Sequence, residues 1–296
     1  MSRKRLFLVD VFAERRYAGN PLAVVTGAAQ LRSEHMQAIA REMNFSETSF
    51  VLHDEPRAGA FDVRIFTPRE EVPFAGHPTL GTAFVIRDEI AGASCERLTL
   101  RLGVGEIPVA FEPAPGGGEV VWLRSPPPTF GATARREVLA GVLGLETADV
   151  DAVHPVQHVS MGLPFWIVPL ASLAAARRCR VNRDAYDAFV KNEEAKGIFV
   201  FARETEDPAN GIHARMFADW YGVPEDPATG SANASLAAYL VAHRVLGGAE
   251  VSVRVEQGIE MGRPSILELR AREEGGRYDV RVGGRVVPVA RGELAE

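Results

Sequence analysis

Two short segments, about half the chain apart, combine residue types that could bind and polarise a small acid. The segment from His77 to Ala83 reads HPTLGTA, and the segment from Asp226 to Ala232 reads DPATGSA. In each, a proline at or near the first helical position and the small residues after it predict a helix start with backbone N–H groups open to an anion. The small residues concerned are Gly81, Thr82, Gly230 and Ser231.

The polar residues that head the two segments differ in chemistry. His77 can donate or accept a proton near neutral pH, and Asp226 can accept or orient one. If the segments face each other, a carboxylate or enolate oxygen could be held between the two helix starts. The alternative for either segment alone is an ordinary capped helix.

A third candidate, Glu47, lies in the segment NFSETS between a predicted helix and a predicted strand. A carboxyl group in a partly apolar cleft can have its pKa raised toward neutrality and can then exchange a proton with carbon. Taken alone, such a residue is more often a surface or capping residue, and the neighbouring Ser46 and Thr48 are consistent with that alternative.

The two segments belong to a longer internal repeat. The sequence RIF that begins at Arg64 resembles RMF at Arg215, and Val72-Pro73 resembles Val223-Pro224. The spacing is roughly 150 residues throughout, which is about half of a 296-residue chain. The same order of strand, Val-Pro loop and helix start therefore predicts two similar halves, with His77 and Asp226 at equivalent places.

Hydrophobic periodicity and turn residues predict many strands and few helices, which is typical of the α+β class. Strands are predicted at residues 5–12, 22–26, 48–52, 60–67, 98–111, 119–123, 165–169, 197–203, 211–218, 251–256, 265–272 and 278–289. Helices are predicted at 33–43, with Ser33 as N-cap, and at 78–90, 135–143, 183–192 and 229–245. The proline run at 126–128 is the candidate linker. We therefore predict halves at residues 1–126 and 127–296, with the active site in the cleft between them and a C-terminal tail that could return to the first half.

Composition excludes several classes of protein. Hydrophobic residues make up 46% and charged residues 24% of the chain, and the net charge is −6, so a globular protein that binds neither nucleic acid nor anionic membranes is expected. The two cysteines, Cys95 and Cys179, form no CxxC pair. His154 and His158 have i, i+4 spacing, but Pro155 lies between them. We therefore expect no disulfide framework and no metal site. With no signal-peptide core and no apolar run of about 20 residues, a cytoplasmic protein is predicted.

Several segments together resemble the PhzF family of phenazine-biosynthesis isomerases, in the expected order from about residue 5 to residue 290. They are Asp10 to Phe12 (DVF), Gly19 to Val25 (GNPLAVV), Met43 to Val51 (MNFSETSFV), Phe74 to Ala83 (FAGHPTLGTA) and Glu225 to Ala232 (EDPATGSA). The resemblance implies the diaminopimelate-epimerase-like fold, in which each half is a curved, mostly antiparallel sheet around a central helix. It also implies a cofactor-free enzyme that is usually a homodimer.

The resemblance also implies roles for individual residues. The family's general acid–base glutamate falls on Glu47, and its catalytic histidine and aspartate fall on His77 and Asp226. Its substrate-binding positions fall on Asn20, Gly76, Gly230 and Ser231.

The expected reaction is an isomerisation of a small carboxylated metabolite. Relatives with this fold that racemise amino acids use one thiol from each half, but the matching loops here contain His77 and Asp226 instead of cysteine. A single carboxyl base suggests that Glu47 removes a proton from one carbon and returns it to another on the same face. The alternative is a non-catalytic protein that binds small ligands on the same scaffold.

Overall fold

The computed structural model describes residues 4–114 and 116–295. The described chain divides into two compact units. The first contains the residues up to Arg124 together with those from Gly283 onward, and the second runs from Ser125 to Val282. The proline run at 126–128 lies just beyond the end of the first segment.

The first unit is built mainly from strands. These are β1 (Arg5–Val11), β2 (Asn20–Thr26), β3 (Thr48–Val51), β4 (Phe61–Phe66), β5 (Glu71–Val72), β6 (Arg97–Leu102), β7 (Gly105–Pro113), β8 (Glu119–Arg124) and, from the end of the chain, β18 (Val286–Glu293). Its helices are α1 (Ser33–Met43) and α2 (Gly76–Ile86), with a 3-10 turn at Ala28–Gln30 and a π-helical turn at Arg87–Ala91.

Helix α2 is the centre of the first unit. It packs against β1, β2, β3, β6, β8 and β18, and nearly all of its residues are buried. Gly81 makes the close approach possible, because a Cβ there would lie 2.6 Å from Leu22 Cδ2 and 2.8 Å from Val11 Cγ2. Helix α1, which is amphipathic, buries Met36 and Ala40 against a separate apolar cluster with Phe50.

The second unit has the same character. Its strands are β9 (Thr129–Ala134), β10 (Val156–Ser160), β11 (Pro164–Pro169), β12 (Gly197–Ala202), β13 (Ile212–Ala218), β14 (Val223–Asp226), β15 (Glu250–Gln257), β16 (Ser265–Glu274) and β17 (Arg277–Gly284), the last of which runs into the first unit. Its helices are α3 (Arg136–Leu143), α4 (Leu173–Arg178), α5 (Arg183–Val190) and the central α6 (Gly230–Ala242), with 3-10 turns at Thr147–Asp149 and Asp219–Tyr221.

Strand pairing repeats from one unit to the other. In the first, β1–β2 is antiparallel, β2–β3 parallel, β3–β4 and β4–β5 antiparallel, β4–β6 parallel and β6–β7 antiparallel. In the second, β10–β11, β11–β12, β12–β13, β13–β14, β13–β15 and β15–β16 follow the same sequence of directions. Each unit thus mixes a largely antiparallel sheet with one buried central helix, and the predicted α+β class is confirmed.

Most predicted elements are present, but some boundaries are wrong for physical reasons. The strand predicted at 98–111 is the β6–β7 hairpin. Its turn packs closely on Pro73, because a Cβ at Gly103 would lie 2.9 Å from Pro73 Cα. The final strand is likewise two strands, β17 and β18. Ser33 is the first residue of α1 and Arg32 takes the N-cap position. Strands β5, β9, β10 and β14 and helix α4 were not predicted, since they are short and weakly patterned.

Among the helices in residues 4–114 and 116–295, none combines the length and the apolar character that crossing a bilayer requires.

Candidate active site

In the first unit, the structure brings Glu47 and His77 together. Helix α1 ends at Asn44 in the left-handed conformation (φ 53°), and the chain then turns into β3, so Glu47 directly precedes the buried Thr48. His77 is the second residue of α2. Glu47 Oε2 lies 3.4 Å from His77 Nε2, and the side chains are only 18% and 7% exposed. A carboxyl group and an imidazole thus meet in a nearly dry environment.

The imidazole of His77 is neutral, and its tautomer follows from its contacts. Burial lowers the pKa of His77 to about 3, against the opposing effect of a hydrogen bond with the backbone of Pro21. Proline has no N–H, so its carbonyl oxygen must accept this bond from the ring. Nε2 makes no hydrogen bond within the described chain, which leaves Nδ1–H as the donor. Nε2 therefore presents a lone pair on the side of Glu47.

Asn20 belongs to the same region, because it immediately precedes Pro21. It is the first residue of β2, fully buried, and it pairs with Val11 in the β1–β2 register. The turn before it is fixed by Gly19, whose φ is +67° and whose Cβ, if present, would lie 2.3 Å from the Val11 carbonyl oxygen. The backbone N–H of Tyr17 donates to Asp10 Oδ2 over 2.6 Å. This turn holds both Asn20 and the Pro21 carbonyl in place.

The remaining predicted binding residues lie at helix starts. Gly76 is the first residue of α2, and Gly230 and Ser231 are the first two of α6. Neither helix has a side-chain cap, whereas the peripheral α4 and α5 are capped by the side chains of Ser172 and Asn182. Uncapped N–H groups at a helix N-terminus suit an anion.

Two details of the sequence interpretation were wrong. His77 lies inside α2, but Asp226 is the last residue of β14 and precedes the Thr229 N-cap, so the two are not at equivalent places relative to their helices. Gly81 is buried in the middle of α2 and serves helix–strand packing. Its backbone N–H therefore cannot be an open anion donor, since it lies beyond the first turn.

Asp226 in the second unit is surrounded by a polar network that the sequence did not reveal. Thr229 Oγ1 donates to Asp226 Oδ2 over 2.5 Å. Gln257, at the end of β15, donates to the Asp226 carbonyl oxygen over 2.8 Å, and Asn233 of α6 donates to Gln257 Oε1 over 2.9 Å. The signal available was a pair of polar residues in apolar segments: Asn233 inside a helix of small and apolar residues, and Gln257 before a glycine at a strand end.

A buried ionic network adjoins this segment. His213 Nδ1 lies 2.9 Å from Glu256 Oε1, and its Nε2 lies 3.0 Å from Glu260 Oε1. Burial alone would lower the pKa of His213, but the two carboxylates outweigh it and raise the pKa above the usual 6.5. Burial would likewise raise the pKa of Glu260, yet His213 and Arg215 keep it below its usual 4.5. Arg215 also forms a bidentate pair with Glu225, the residue before Asp226.

Neither thiol is one of the predicted site residues, although the carbonyl oxygen of Cys179 accepts a hydrogen bond from Arg215 Nη1 over 3.1 Å. Cys179 is fully buried in the apolar core under α3 and α5, and burial raises its pKa to about 12. Such a thiol stays protonated at neutral pH and is not a base. Cys95 follows the π-helical turn, and its thiol donates to the Arg97 carbonyl oxygen. Within the described ranges, no group of three or more His, Cys, Asp or Glu residues is arranged to hold a metal ion.

A cavity of about 490 Å³ opens in the first unit where β4 and β6 diverge. Its charged lining residues are paired with each other or with neighbours, Arg64 with Glu71 and Arg101 with Asp62. It is lined by neither Glu47 nor His77.

Comparison with known proteins agrees with this fold. A family model described as phenazine biosynthesis-like protein matches residues 9–292. An uncharacterized isomerase of Mesorhizobium japonicum is 37% identical over 99% of both chains. The trans-2,3-dihydro-3-hydroxyanthranilate isomerase of Pseudomonas aeruginosa is 36% identical over 97% of this chain and 98% of its own. The crystal structure of a PhzF-family phenazine biosynthesis protein from Bacillus anthracis covers 100% of each chain, with a TM-score of 0.91 at 28% identity.

The fold and these matches define the protein as an isomerase. The chain belongs to the phenazine biosynthesis-like PhzC-PhzF family, and the resemblance drawn from its motifs is confirmed. The names of the relatives also favour catalysis over the ligand-binding alternative.

Proposed function

We propose that this isomerase moves a proton between two carbons of a small carboxylated metabolite, without a cofactor, and that Glu47 is its general acid–base. The observation that carries the proposal is the 3.4 Å approach of Glu47 Oε2 to the neutral His77 Nε2. A base must lie within reach of the proton that it takes, in surroundings that keep water away. The exposure of the Glu47 side chain, only 18%, supports the second of these conditions.

His77 supports the transfer as a neutral imidazole. Its Nδ1–H is engaged by the Pro21 carbonyl, so Nε2 can only accept. When Glu47 carries the substrate's proton, the acid form can donate to Nε2 until the proton is returned to carbon. The low pKa of His77 means that the imidazole does not itself keep this proton.

We propose that an uncapped helix start binds the substrate's carboxylate. At the start of α2 the N–H groups of Gly76 and His77 can hold a negative oxygen, since Pro78 has no N–H and that of Thr79 donates to the Ala75 carbonyl. At the start of α6, those of Gly230 and Ser231 can do the same. We propose Asn20 as a further binding residue and Asp226 as a residue that orients the substrate or accepts one of its protons. Stabilisation of developing charge must supply most of the rate, since general acid–base action alone contributes about 10²–10⁴-fold.

The relatives suggest a first compound to try. Because the isomerase of Pseudomonas aeruginosa is named for trans-2,3-dihydro-3-hydroxyanthranilate, an unsaturated carboxylic acid, compounds of this class are the proposed substrates. Each would be incubated with the protein in heavy water, and deuterium entering a carbon position would be followed by NMR.

The decisive variant is Glu47→Gln, which keeps the shape of the side chain and removes its acid–base function. We expect deuterium incorporation and product formation to fall by about 10²–10⁴-fold. Glu42→Gln, on the exposed face of α1, is the matched control. Full activity of Glu47→Gln with an unchanged thermal midpoint would remove Glu47 from the role.

We also propose a homodimer in the cytoplasm. The dimer follows from the family resemblance, and sedimentation or light scattering of the purified chain measures it. The cytoplasmic location is supported by the two cysteines, which are both free thiols, as is typical of a reducing compartment. Cell fractionation of the native host tests the location.

A further inference from the structure

Gln257 joins the end of β15 to the segment that carries Asp226. Its side chain is fully buried. Nε2 donates to the Asp226 carbonyl oxygen over 2.8 Å and to Thr229 Oγ1 over 3.3 Å. Oε1 accepts from the Thr229 backbone N–H over 3.3 Å and from Asn233 Nδ2 over 2.9 Å. Within the described chain, the hydrogen bonds of this amide thus all end on the Asp226 loop or the first turn of α6.

The orientation of this amide is fixed by its neighbours. The Asp226 carbonyl can only accept, so the Gln257 atom beside it must be nitrogen, and the Thr229 N–H can only donate, so the atom beside it must be oxygen. Asn233 Nδ2 also donates to the Thr229 carbonyl over 3.1 Å, which fixes its own amide in the same way. A flipped Gln257 would lose its bonds with the Asp226 carbonyl and the Thr229 N–H.

This orientation determines where the Thr229 hydroxyl points. The hydroxyl has a single hydrogen. Because Thr229 Oγ1 receives a hydrogen bond from Gln257, its own hydrogen is directed to Asp226 Oδ2, 2.5 Å away. Thr229 is the N-cap residue of α6 but its side chain makes no capping hydrogen bond. The hydroxyl therefore serves the carboxylate and leaves the helix start open.

The residue after Gln257 reinforces the contact. Gly258 has φ +74°, and a Cβ there would lie 2.6 Å from the Pro227 carbonyl oxygen and 2.5 Å from that of Arg263. The backbone after Gln257 therefore lies directly against the Asp226 loop. Two residues at one strand end, an amide and a glycine, hold the loop by hydrogen bonds and by close packing.

We propose that Gln257 is a positioning residue for the reaction, which orients the Asp226 carboxylate through the Thr229 hydroxyl. This inference rests on the proposed function, in which Asp226 acts on the substrate. A chain of oriented hydrogen bonds inside a protein polarises its members and fixes the direction of the last acceptor. Loss of Gln257 would free the Thr229 hydroxyl to rotate and would weaken its bond to the carboxylate.

The first test uses Gln257→Glu and Gln257→Leu, with turnover of trans-2,3-dihydro-3-hydroxyanthranilate as the probe. We expect kcat to fall about tenfold to a hundredfold, the effect of one lost buried hydrogen bond to a charged group. KM should change less than kcat. Gln157→Glu is the matched control, because this amide also donates to a backbone carbonyl, that of Gly131, but lies on β10.

The pH profile separates a positioning role from a merely structural one. The carboxyl group that Gln257→Glu introduces can donate one hydrogen bond when protonated and none when ionised. The activity of this variant relative to that of the parent should therefore rise as the pH falls, whereas Gln257→Leu should show no such recovery. A pH-independent loss in both variants would contradict the proposal.

A second measurement needs no substrate. The carboxyl carbon of Asp226, assigned in a ¹³C-labelled protein by comparison with Asp226→Asn, should titrate at higher pH in Gln257→Leu and in Thr229→Val. Thr229→Ser, which keeps a hydroxyl, should titrate close to the parent. The double variant of Gln257→Leu and Thr229→Val should shift the Asp226 titration little further than either single variant does. An Asp226 titration that is unchanged in all of these variants overturns the inference.

These outcomes separate failure of the inference from failure of the proposed function. If Asp226→Asn retains full turnover, the proposed role of Asp226 is wrong and the inference fails with it. If Asp226→Asn is inactive while both Gln257 variants keep full turnover, only the inference is wrong.

Discussion

His77 shows how a residue's surroundings decide its chemistry. The same side chain exposed to water would titrate near neutral pH. Here burial dominates, and the Pro21 carbonyl holds one ring nitrogen as a donor. The imidazole is therefore a fixed acceptor facing Glu47 at 3.4 Å. A residue type associated with proton exchange is here a constant neutral partner of the carboxyl that we propose as the base.

The tautomer of His77 can be observed directly. Because its pKa is lowered to about 3, we expect its Nδ1 to stay protonated and its Nε2 to stay unprotonated from pH 5 to pH 8. Two-dimensional ¹H–¹⁵N spectra of the imidazole nitrogens, assigned with His77→Gln, measure this. A change of the Nε2 shift to that of an imidazolium within this range would contradict the assignment.

At the scale of elements, glycines in helices have different purposes in this fold. Gly81 allows α2 to approach Leu22 and Val11 more closely than any side chain would permit. Gly141 of α3 has no atom within 4 Å of the place where a Cβ would be. Both glycines lie within helices, but Gly81 is tightly packed and Gly141 has open space around it. Substitution by alanine at each position therefore separates the effect of packing from that of helix propensity.

We expect Gly81→Ala to lower the free energy of unfolding by about 1–3 kcal/mol, since the added methyl overpacks the contact between α2 and the first two strands. Gly141→Ala should raise it by roughly 0.5–1 kcal/mol through better helix propensity. Urea denaturation measures both. Equal effects of the two substitutions would mean that α2 can move away from the strands at little cost.

Local patterns predicted elements well and predicted partnerships poorly. The alternation in residues 60–67 and the spacing in 33–43 are local properties, and they correctly gave β4 and α1. The role of Gly81 depended on Leu22 and Val11, which are far away in sequence. Gln257 was missed for the same reason: its partners Asp226 and Thr229 lie on other elements, and a lone buried glutamine has no periodicity to reveal it.

For the candidate site, the motifs identified residues, and the structure showed where their side chains lie. The resemblance singled out Glu47 and His77, and the structure brings their side chains together. Spacing also suggested that His77 and Asp226 are equivalent, but one is in a helix and the other ends a strand. A two-residue difference in offset within a repeat is enough to move a residue across a helix boundary.

At the scale of the whole molecule, the two buried histidines, one in each unit, contribute to stability with opposite pH dependence. His77 of the first unit has a lowered pKa, so its contribution to stability is present above the usual 6.5 and is lost as the pH falls. His213 of the second unit has a raised pKa, so its contribution is complete below 6.5 and is lost as the pH rises through the folded-state value. Glu260, whose pKa is lowered, retains its contribution above 4.5.

Between pH 7.5 and pH 5.5 we therefore expect the free energy of unfolding of the first unit to fall by about 1 kcal/mol. The lower pH lies one unit below the ordinary pKa of histidine, so the unfolded chain gains a proton that the buried His77 does not. The second unit should lose less stability than the first, because the gain at His213 opposes the loss at His243, whose pKa burial lowers. Amide hydrogen exchange of peptides from β2 and β12, corrected for intrinsic rates, reports the units separately. His77→Gln should remove the acid loss of the first unit. Parallel changes in the two peptides would contradict the prediction.

The pairing of β1 with β18 has a consequence for biosynthesis. Arg5 pairs with Glu293 and Val11 with Val286, so β1 leaves the ribosome long before its neighbour β18. At ordinary translation rates, the edge of β1 that pairs with β18 stays without that partner for on the order of tens of seconds, while the entire second unit is synthesised. A nascent chain with such an open strand edge is exposed to wrong pairing with other chains. We expect this interval to be when the polypeptide depends most on chaperones.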